Sequence, residues 1–397
     1  MEDRIDLVDG AFWGRNPHEE MAWLRANAPV WRDDRNGVWA ISTHALVKQV
    51  EVDTAAFSST GGIRPEHPGT GQMIDLDDPE HAQRRKLVNK GFTLRRVQDQ
   101  EAPIRATVTH LIDAVCERGE CDLVKDIAAW LPLIVIGDAL GVEPPDRQQL
   151  LEWSDDLMVA LGTRNEQTIA KMTAAAQGWA QYMLKVMAAR RDVPTDDLIS
   201  ILVHAEIDGE GLGAAEIIAE SLLILIGGDE TTRHVISGGA YQLLAHREQW
   251  EALRADRALL PGAVEEMLRW VTPVKNMART ATRDVELGGQ LIPKGEKVLL
   301  MFPSANRDDA VFTDPDTFDI RRTPNDHVAF GYGTHHCLGA NLARLELKVL
   351  FEELLDRLPD LALVDPAEPA HRPANFVSGY ESMPVRFTPT APKGAVR

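Results

Sequence analysis

Apolar positions recur at helical spacing along most of the chain, and the longest such pattern lies in its middle. It follows the glycine-rich turn "DGEGLG" and predicts one helix over residues 214–246. "PGAVEEMLRWV" predicts a further helix, which opens with proline, a residue favoured in the first turn. Near the C-terminal end, spacings of 4, 3 and 4 predict one buried helix face, formed by Leu338, Leu342, Leu345 and Val349.

Strand patterns are few and short. They occur in "VWAIS" near the start, in "RTATRDVELGGQLIPKGEKVLLMF" from Arg279, and in "MPVRF" near the end. We find no repeat and no linker, so we expect one domain over residues 1–397, with a loose tail from about 390. The balance of elements predicts a mainly α fold with small peripheral β-sheets. A core of this size is larger than usual, and an internal ligand would help to explain it.

Composition and charge exclude several classes of protein. The chain has 397 residues and a formal net charge of −19, which argues against general nucleic-acid binding and against binding to an anionic membrane. Its three cysteines are too few for a disulfide framework and suggest a reducing compartment. The N-terminal stretch carries acids where a signal peptide needs bases, and no apolar run approaches a membrane span. We therefore expect a cytoplasmic protein without a membrane anchor.

A lone cysteine stands at the start of the last helical pattern, in "HVAFGYGTHHCLGANLARLEL". Unpaired N–H groups and the helix dipole at that place favour a thiolate at Cys337. Gly331 and Gly333 let the preceding loop turn tightly, and Gly339 lets something bulky and flat approach the backbone. A thiolate in this apolar frame is a soft metal ligand or a nucleophile. The alternative is a buried structural cysteine.

Two other kinds of site can be weighed against this interpretation. A zinc site could use His335, His336 and Cys337 with Cys116 or Cys121, but adjacent ligands match structural zinc poorly, because its ligands come as spaced pairs. A dinucleotide-binding loop would need G-x-G-x-x-G, and His336 stands where the third glycine should be.

The ten residues "FGYGTHHCLG", 330–339, resemble the haem-binding loop of the cytochrome P-450 family, F-G-x-G-x-H-x-C-x-G, at every fixed position. The resemblance implies a cytochrome P-450 fold, with haem b (iron protoporphyrin IX) between the long central helix and the helix after Cys337. It implies that Cys337 is the axial thiolate ligand of the iron and that Phe330, Gly331 and Gly339 contact the haem. A thiolate ligand donates electron density that promotes O–O cleavage.

Further segments match family positions that bind the haem propionates, which need cations or strong donors. His335 matches one such contact, and Arg279 stands where the family commonly has another. His81 and Arg85 in "HAQRR" are spaced i, i+4 and resemble the family's W/H-x-x-x-R pattern. Without the cysteine loop, His81 and Arg85 would be read as a solvated helix face.

"GGDETT", residues 227–232, interrupts the apolar pattern of the long helix. Two glycines inside a helix cost about 1 kcal/mol each relative to alanine, so they indicate a close helix crossing or a groove that admits a ligand. The stretch resembles the family's A/G-G-x-D/E-T-T motif, with glutamate where many relatives have aspartate. It implies that Gly228 lies against the haem, that Thr231 hydrogen-bonds dioxygen, and that Glu230 delivers protons from solvent.

"EEMLR" holds Glu266 and Arg269 at i, i+3, which alone would be an ordinary surface pair. It resembles the family's E-x-x-R motif, and Arg322 in "FDIRRTPN" matches the downstream arginine that closes a buried ionic network. The resemblance implies a structural role, which is to fix the register of the loop that carries the thiolate.

The segments that contact substrate in the family are mostly apolar here, including the region from Trp153 to Tyr182. An apolar lining predicts an apolar substrate, although each of these residues could equally be an ordinary core residue. The candidate substrate contacts are Ile63, Met73, Ile74, Leu223, Gly227, Val274, Met277, Phe376 and Val377.

Four segments closely resemble actinobacterial steroid C26-monooxygenases: "MIDLDDPEHAQRRKLVNKGFT", "LLILIGGDETTRH", "EEMLRWVTPVKNMAR" and "RPANFVSGYESMPV". The resemblance implies hydroxylation of the terminal methyl group (C26/C27) of a sterol side chain, first to an alcohol and then onward to an acid. One alternative is a hydroxylase of another apolar molecule, such as a fatty acid, terpene or macrolide. Another is a haem-thiolate sensor without turnover, although such a sensor needs no proton relay.

The chain carries no flavin or ferredoxin segment, so the resemblance implies a separate ferredoxin and ferredoxin reductase. The segment "HAQRRKLVNKGFTLRR" contains six lysines and arginines and no acid, in a protein that is acidic as a whole. We expect an acidic ferredoxin to dock near Arg84, Lys86 and Lys90, because complementary charge steers association.

Overall fold

The computed structural model describes residues 1–159, 166–207 and 209–394. Three parts of the predictions lie outside these residues. They are 160–165 within the Trp153–Tyr182 segment, Asp208 of the predicted turn, and residues 395–397 of the predicted tail.

α-Helices are the dominant element of the described chain, so the predicted mainly helical fold is confirmed. None of them, within the described ranges, is long and apolar enough to cross a membrane. They are α1 (Gly10–Gly14), α2 (His18–Asn27), α3 (His44–Val52), α4 (Glu80–Val88), α5 (Leu94–Asp99), α6 (Glu101–Asp113), α7 (Trp130–Ala139), α8 (Arg147–Val159), α9 (Glu166–Asp192), α10 (Leu198–Val203), α11 (Ala214–Ala245), α12 (Arg247–Ala255), α13 (Leu260–Val271), α14 (Phe302–Ala305) and α15 (Ala340–Arg357).

The strands are short and form small sheets, as predicted. They are β1 (Val30–Asp33), β2 (Val38–Ile41), β3 (Phe57–Ser58), β4 (Glu120–Asp122), β5 (Glu206–Ile207), β6 (Glu210–Gly211), β7 (Met277–Ala281), β8 (Val285–Leu287), β9 (Gln290–Ile292), β10 (Lys297–Leu300), β11 (Ala362–Leu363) and β12 (Pro384–Arg386). The largest sheet has the order β1-β2-β10-β7-β3, and its β2–β10 pair is parallel. A second sheet has the order β11-β12-β4, and β5–β6 and β8–β9 are hairpins.

The long helix α11 lies where the apolar pattern predicts it and packs against α7, α9, α13 and α15. Its first N–H groups are capped by Glu216, whose carboxylate accepts a hydrogen bond of 2.8 Å from the Gly213 N–H. Residues 232–244 are all buried and form part of the core. The preceding turns carry the two glycines of "GGDETT" and border a cavity, so α11 joins the core to the candidate site.

Helix α15 begins two residues later than the spacing of its leucines suggests. Gly339 is its N-cap, and Leu338 therefore lies ahead of the helix, where it borders the cavity. Leu342 and Val349 are buried as predicted, and Leu345 is half-buried. The prediction of one helix face is thus wrong for Leu338, because the backbone leaves helical geometry to carry Cys337.

Candidate active site

A cavity of about 410 Å³ lies between the first half of α11 and the loop that precedes α15. Its walls come from segments that are far apart in the sequence and are mostly apolar. Every residue predicted to contact substrate borders it, namely Ile63, Met73, Ile74, Leu223, Gly227, Val274, Met277, Phe376 and Val377. The expected haem contacts Phe330, Gly331, Gly339 and Gly228 border it as well.

The loop that carries Cys337 turns back on itself. Gly331 and Gly333 both have φ of +67°, a conformation that other residues rarely adopt. A Cβ on Gly333 would also lie 2.7 Å from the backbone oxygen of Glu51. The Cys337 N–H donates a 2.9 Å hydrogen bond to the carbonyl of Phe330 and closes the turn. Glycine at these two positions therefore places Cys337 at the floor of the cavity.

The Cys337 thiol lies two residues before the N-cap of α15 and faces the N–H groups of Gly339 and Ala340. Burial nevertheless raises the pKa of this thiol, and those N–H groups, with Arg85 and Arg344, only partly oppose the effect. The N–H groups at the helix start thus favour the thiolate, as expected, but burial outweighs them. A thiolate here needs a bound cation to balance it, which a haem iron supplies.

The cavity leaves room for a flat group between α11 and the cysteine loop. A Cβ on Gly339 or on Gly227 would meet no atom within 4 Å, so both glycines face open space. A Cβ on Gly228 would instead lie 2.7 Å from the side chain of Ile136 in α7. The two glycines of "GGDETT" therefore serve the two purposes that the sequence left open, a groove at Gly227 and a close helix crossing at Gly228.

Basic side chains gather at one end of the cavity. His81 is buried, so it is not part of a solvated face, and its ring lies 4.1 Å from that of His335 between centroids. Burial, with the charges of Arg279, His81 and Arg85, lowers the pKa of His335 to about 3. Arg279 is buried beside them but does not border the cavity.

This cluster is short of acids. Within the described residues, Arg85 has no carboxylate within 4 Å, and Arg279 has only Glu51, with 3.6 Å between Nη2 and Oε1. His81 lies 3.2 Å from Asp78, between Nδ1 and Oδ1. Basic groups that outnumber the acids paired with them are the donor set that an anion with two carboxylates requires. The basic cluster, the open space beside Gly227 and Gly339, and the single sulfur ligand Cys337 together fit a haem.

Thr231 and Glu230 lie on different sides of α11. Thr231 borders the cavity, and its Oγ1 donates a 2.7 Å hydrogen bond to the carbonyl of Gly227. Glu230 does not border the cavity. It is fully buried in ion pairs, 3.0 Å from Arg233 and 3.0 Å from Arg372. Burial raises the pKa of Glu230, but the two arginines hold it well below its usual range.

The predicted ionic network lies behind the cysteine loop. Glu266 accepts two hydrogen bonds of 2.7 Å from Arg269 and lies 3.2 Å from Nε of Arg322, and both Glu266 and Arg269 are inaccessible to solvent. Arg269 also donates to the carbonyl of Asn306, whose side chain accepts a 2.7 Å hydrogen bond from the Val328 N–H. The network is therefore connected to the start of the loop that carries Cys337.

Sequence reasoning missed several residues that border the cavity, among them Glu51, Ile136 and Glu346. Ile136 belongs to an uninterrupted apolar helix, which gives no periodic signal. Glu346 is buried in α15, one of its oxygens has no partner, and burial raises its pKa well above the usual value. Its position between Leu342 and Val349 on an apolar face was a usable signal, because acids are seldom buried without a reason.

The zinc alternative lacks a ligand set. In the ranges that the structure describes, no three His, Cys, Asp or Glu side chains come together so that they could hold a metal ion. Cys116 and Cys121 are free and buried in the core, and Cys121 pairs within the second sheet. Cys337 thus stands as a single protein ligand, which suits a haem iron.

Comparison with known proteins agrees with the geometry. A family model described as Cytochrome P450 matches residues 142–359. The chain is 56% identical over 390 residues to a steroid C26-monooxygenase of Mycolicibacterium smegmatis, which covers 98% of this chain and 97% of that protein. It is 55% identical over 393 residues to a steroid C26-monooxygenase of Mycobacterium tuberculosis, which covers 98% of each.

Solved structures of similar shape hold different ligands. One from Bacillus megaterium, in complex with testosterone, is 35% identical with a TM-score of 0.85, covering 94% of this chain and 99% of that chain. Another is a P450 in complex with hexadec-9Z-enoic acid ligated to an acyl carrier protein. It is 32% identical with a TM-score of 0.88, covering 95% of this chain and 99% of that chain.

Proposed function

Since the chain belongs to the cytochrome P450 family of haem-dependent monooxygenases, we propose that it hydroxylates the terminal methyl group (C26 or C27) of a sterol side chain and carries it on to the acid. The observation that carries this proposal is the 55–56% identity, over nearly the full length, to steroid C26-monooxygenases of two mycobacteria. The apolar lining of the cavity supports it, because a sterol side chain offers no polar group to bind.

Different residues around the cavity bind different parts of the haem. Cys337 holds the iron through its sulfur, and His81, Arg85 and His335 bind the two carboxylates. When bound, haem uses O2, two electrons and two protons to place one oxygen atom in a substrate C–H bond and release the other as water. Gly339 leaves space for the flat ring on the side of the cysteine loop.

Regiochemistry depends on how the walls hold the sterol tail. A terminal methyl group has stronger C–H bonds than the neighbouring tertiary carbon, so selectivity comes from position rather than from reactivity. Val274 and Val377 pair through an isolated β-bridge, which fixes two wall segments against each other. Met73 and Leu223 approach from other elements. These walls hold the tail end-on, and its terminal methyl group is the part presented to the iron.

Electrons come from a separate ferredoxin with its reductase, which docks on the basic surface near Lys86 and Lys90. Both lysines are exposed. Arg84 does not belong to this surface, contrary to the expectation from its sequence. Its guanidinium is buried and pairs with Glu216 and Glu220 of α11, so no charge remains for a partner protein.

Sterol binding tests the substrate assignment. We expect cholest-4-en-3-one or cholesterol to shift the haem absorption from the low-spin to the high-spin form, because the tail displaces water from the iron. Burial of the tail contributes about 25 cal/mol per Å² of apolar area. In a spectral titration, the Kd should therefore be at least ~10-fold lower than for a fatty acid or a macrolide, a difference of about 1.4 kcal/mol. Tighter binding of either comparison ligand would contradict the proposal.

Thr231→Ala should divert electrons to hydrogen peroxide while haem and substrate binding stay near the parent. The Thr231 hydroxyl is placed at the cavity to hold a proton donor in position, and its loss removes one hydrogen bond. We expect product per NADH consumed to fall about tenfold, equivalent to ~1.4 kcal/mol. Thr173→Ala is the matched control, because Thr173 makes the same bond to the carbonyl four residues earlier on the exposed face of α9. An unchanged ratio of product to electrons in Thr231→Ala would refute this role.

A further inference from the structure

Glu51 is a buried acid at the end of the cavity where the basic side chains gather. It lies on α3, its side chain is 2% exposed, and it borders the cavity. Its Oε1 lies 3.6 Å from Nη2 of Arg279, and its Oε2 is buried without a hydrogen-bond partner. A carboxyl oxygen that is buried and unpaired costs free energy unless something in the cavity meets it. The roles assigned above leave this group unused.

The position of Glu51 is fixed by the loop that carries Cys337. The Tyr332 N–H points at its carboxylate, and a Cβ on Gly331 would lie 3.4 Å from Oε1. Arg279 lies behind Glu51 and does not border the cavity. Glu51 therefore separates Arg279 from the end of the cavity where the basic side chains gather.

The charges around Glu51 come from several elements. Burial raises the pKa of Glu51 to about 7, and Arg279 and the Tyr332 N–H oppose that rise. Lys48, on the same helix, pairs with Asp326 and lies over the Tyr332 ring. Other charged and titratable groups near this end are His81 and Arg85 on α4, His335 on the loop, Asp78, which pairs with His81, and Asp75 and Asp77, which act on Arg279.

We propose that Glu51 shares a proton with one of the two haem carboxylates and so acts as a positioning residue for the cofactor. Two carboxylates in contact in a buried site cannot both be ionised, because the repulsion between them is poorly screened. The shared proton lets Oε2 donate a hydrogen bond to the haem carboxylate, while Arg279 stabilises the pair from behind. The inference rests on the assignment of His81, Arg85 and His335 to those carboxylates, and it involves no sterol.

The shared proton couples electron uptake to proton uptake. Reduction of the iron adds one negative charge to the buried site, which raises the proton affinity of the Glu51–carboxylate pair. The reduced protein therefore binds more protons than the oxidised protein at the same pH. The midpoint potential must then fall as pH rises through the range in which the pair titrates.

The midpoint potential of the substrate-free holoenzyme, measured by spectroelectrochemistry from about pH 6 to pH 9, tests this coupling. We expect the potential of the parent to fall with pH and that of Glu51→Gln to fall much less steeply, because an amide donates a hydrogen bond but does not titrate. Glu20→Gln is the control for loss of a buried carboxyl group, since Glu20 is equally buried but pairs with Arg4 and Arg15 away from the cavity. An equal dependence of the midpoint potential on pH in Glu51→Gln and in the parent would overturn the proposal.

The rate of haem loss tests whether Glu51 acts as a hydrogen-bond donor to the haem or only as a counter-charge to Arg279. In transfer of haem to apomyoglobin, Glu51→Leu should lose haem about tenfold faster than the parent, an effect of the size of one lost hydrogen bond. Glu51→Gln should stay within roughly threefold of the parent because its amide still donates. Loss from Glu51→Gln as fast as from Glu51→Leu would overturn the proposal. Loss from Arg85→Gln at the parent rate would show instead that the basic cluster does not bind the haem carboxylates.

Discussion

Replacement of Cys337 by histidine will move the absorption band of the ferrous–CO complex from the position that gives the cytochrome P450 family its name to that of imidazole-ligated haem. A Cys337 thiolate would donate more electron density to a haem iron than an imidazole in its place would. The same donation supports oxygen activation. Turnover should therefore fall by more than the ~10–100-fold that follows loss of a side chain that only supports a metal ligand. The reduced CO difference spectrum of the purified holoenzyme is the measurement.

Cys116→Ala is the control for this experiment, because Cys116 is another buried and free cysteine but lies in the core away from the cavity. We expect it to keep the parent band. A parent band in Cys337→His would show that another side chain holds the iron.

Glu266→Gln should cause the largest loss of stability among single changes to the buried ion pairs. It leaves Arg269 and Arg322 without their common carboxylate in a place that solvent does not reach. Removal of one partner from a buried ion pair typically costs about 3–5 kcal/mol. The thermal midpoint of the holoenzyme should fall steeply. The haem content should fall as well, because the network reaches the cysteine loop through Asn306 and Val328.

The control for this prediction is Glu251→Gln on α12, where an exposed glutamate pairs with Arg247 and Arg254 at helical spacing. Exposed pairs of this kind contribute roughly 0.2–1 kcal/mol, so its thermal midpoint and haem content should stay near those of the parent. Equal thermal midpoints and equal haem contents in Glu266→Gln and Glu251→Gln would contradict the structural role assigned to Glu266.

The elements that carry the fold could be predicted from the sequence because their signals are local. The long apolar pattern predicts α11 within one residue at its C-terminal end, and the proline in "PGAVEEMLRWV" lies in the first turn of α13. The two-residue strands β3 and β11 were not predicted, because alternation needs a longer run to be visible.

The cavity was predicted through family resemblance rather than from apolar patterning. Wall residues such as Ile63, Leu223 and Phe376 look like core residues in the sequence, and only the motif around Cys337 gave a reason to bring their segments together. The hydrophobic pattern of a sequence does not show whether apolar side chains pack against one another or enclose a cavity.

The failed prediction for Arg84 concerns charge, because charge pairing depends on residues distant in sequence. Arg84 lies in a stretch without acids, yet it pairs with glutamates of α11 more than 130 positions away. At Cys337 the sequence indicates the helix N–H groups that lower the pKa of the thiol but not the burial that raises it. The sequence around Glu51 does not indicate a role at the cavity, because its contacts are with Arg279 and with the loop before α15, which are distant in sequence.

Product analysis with cholest-4-en-3-one, a surrogate ferredoxin and its reductase tests the central claim most directly. The account predicts that mass spectrometry finds the C26 alcohol as the first product, because the walls present the terminal methyl group end-on. It also predicts that Val274→Ala or Met277→Ala raises the share of C25 alcohol, because a wider cavity lets the tail shift toward its tertiary carbon. Ring hydroxylation as the main product, or good turnover of fatty acids without sterol oxidation, would contradict it.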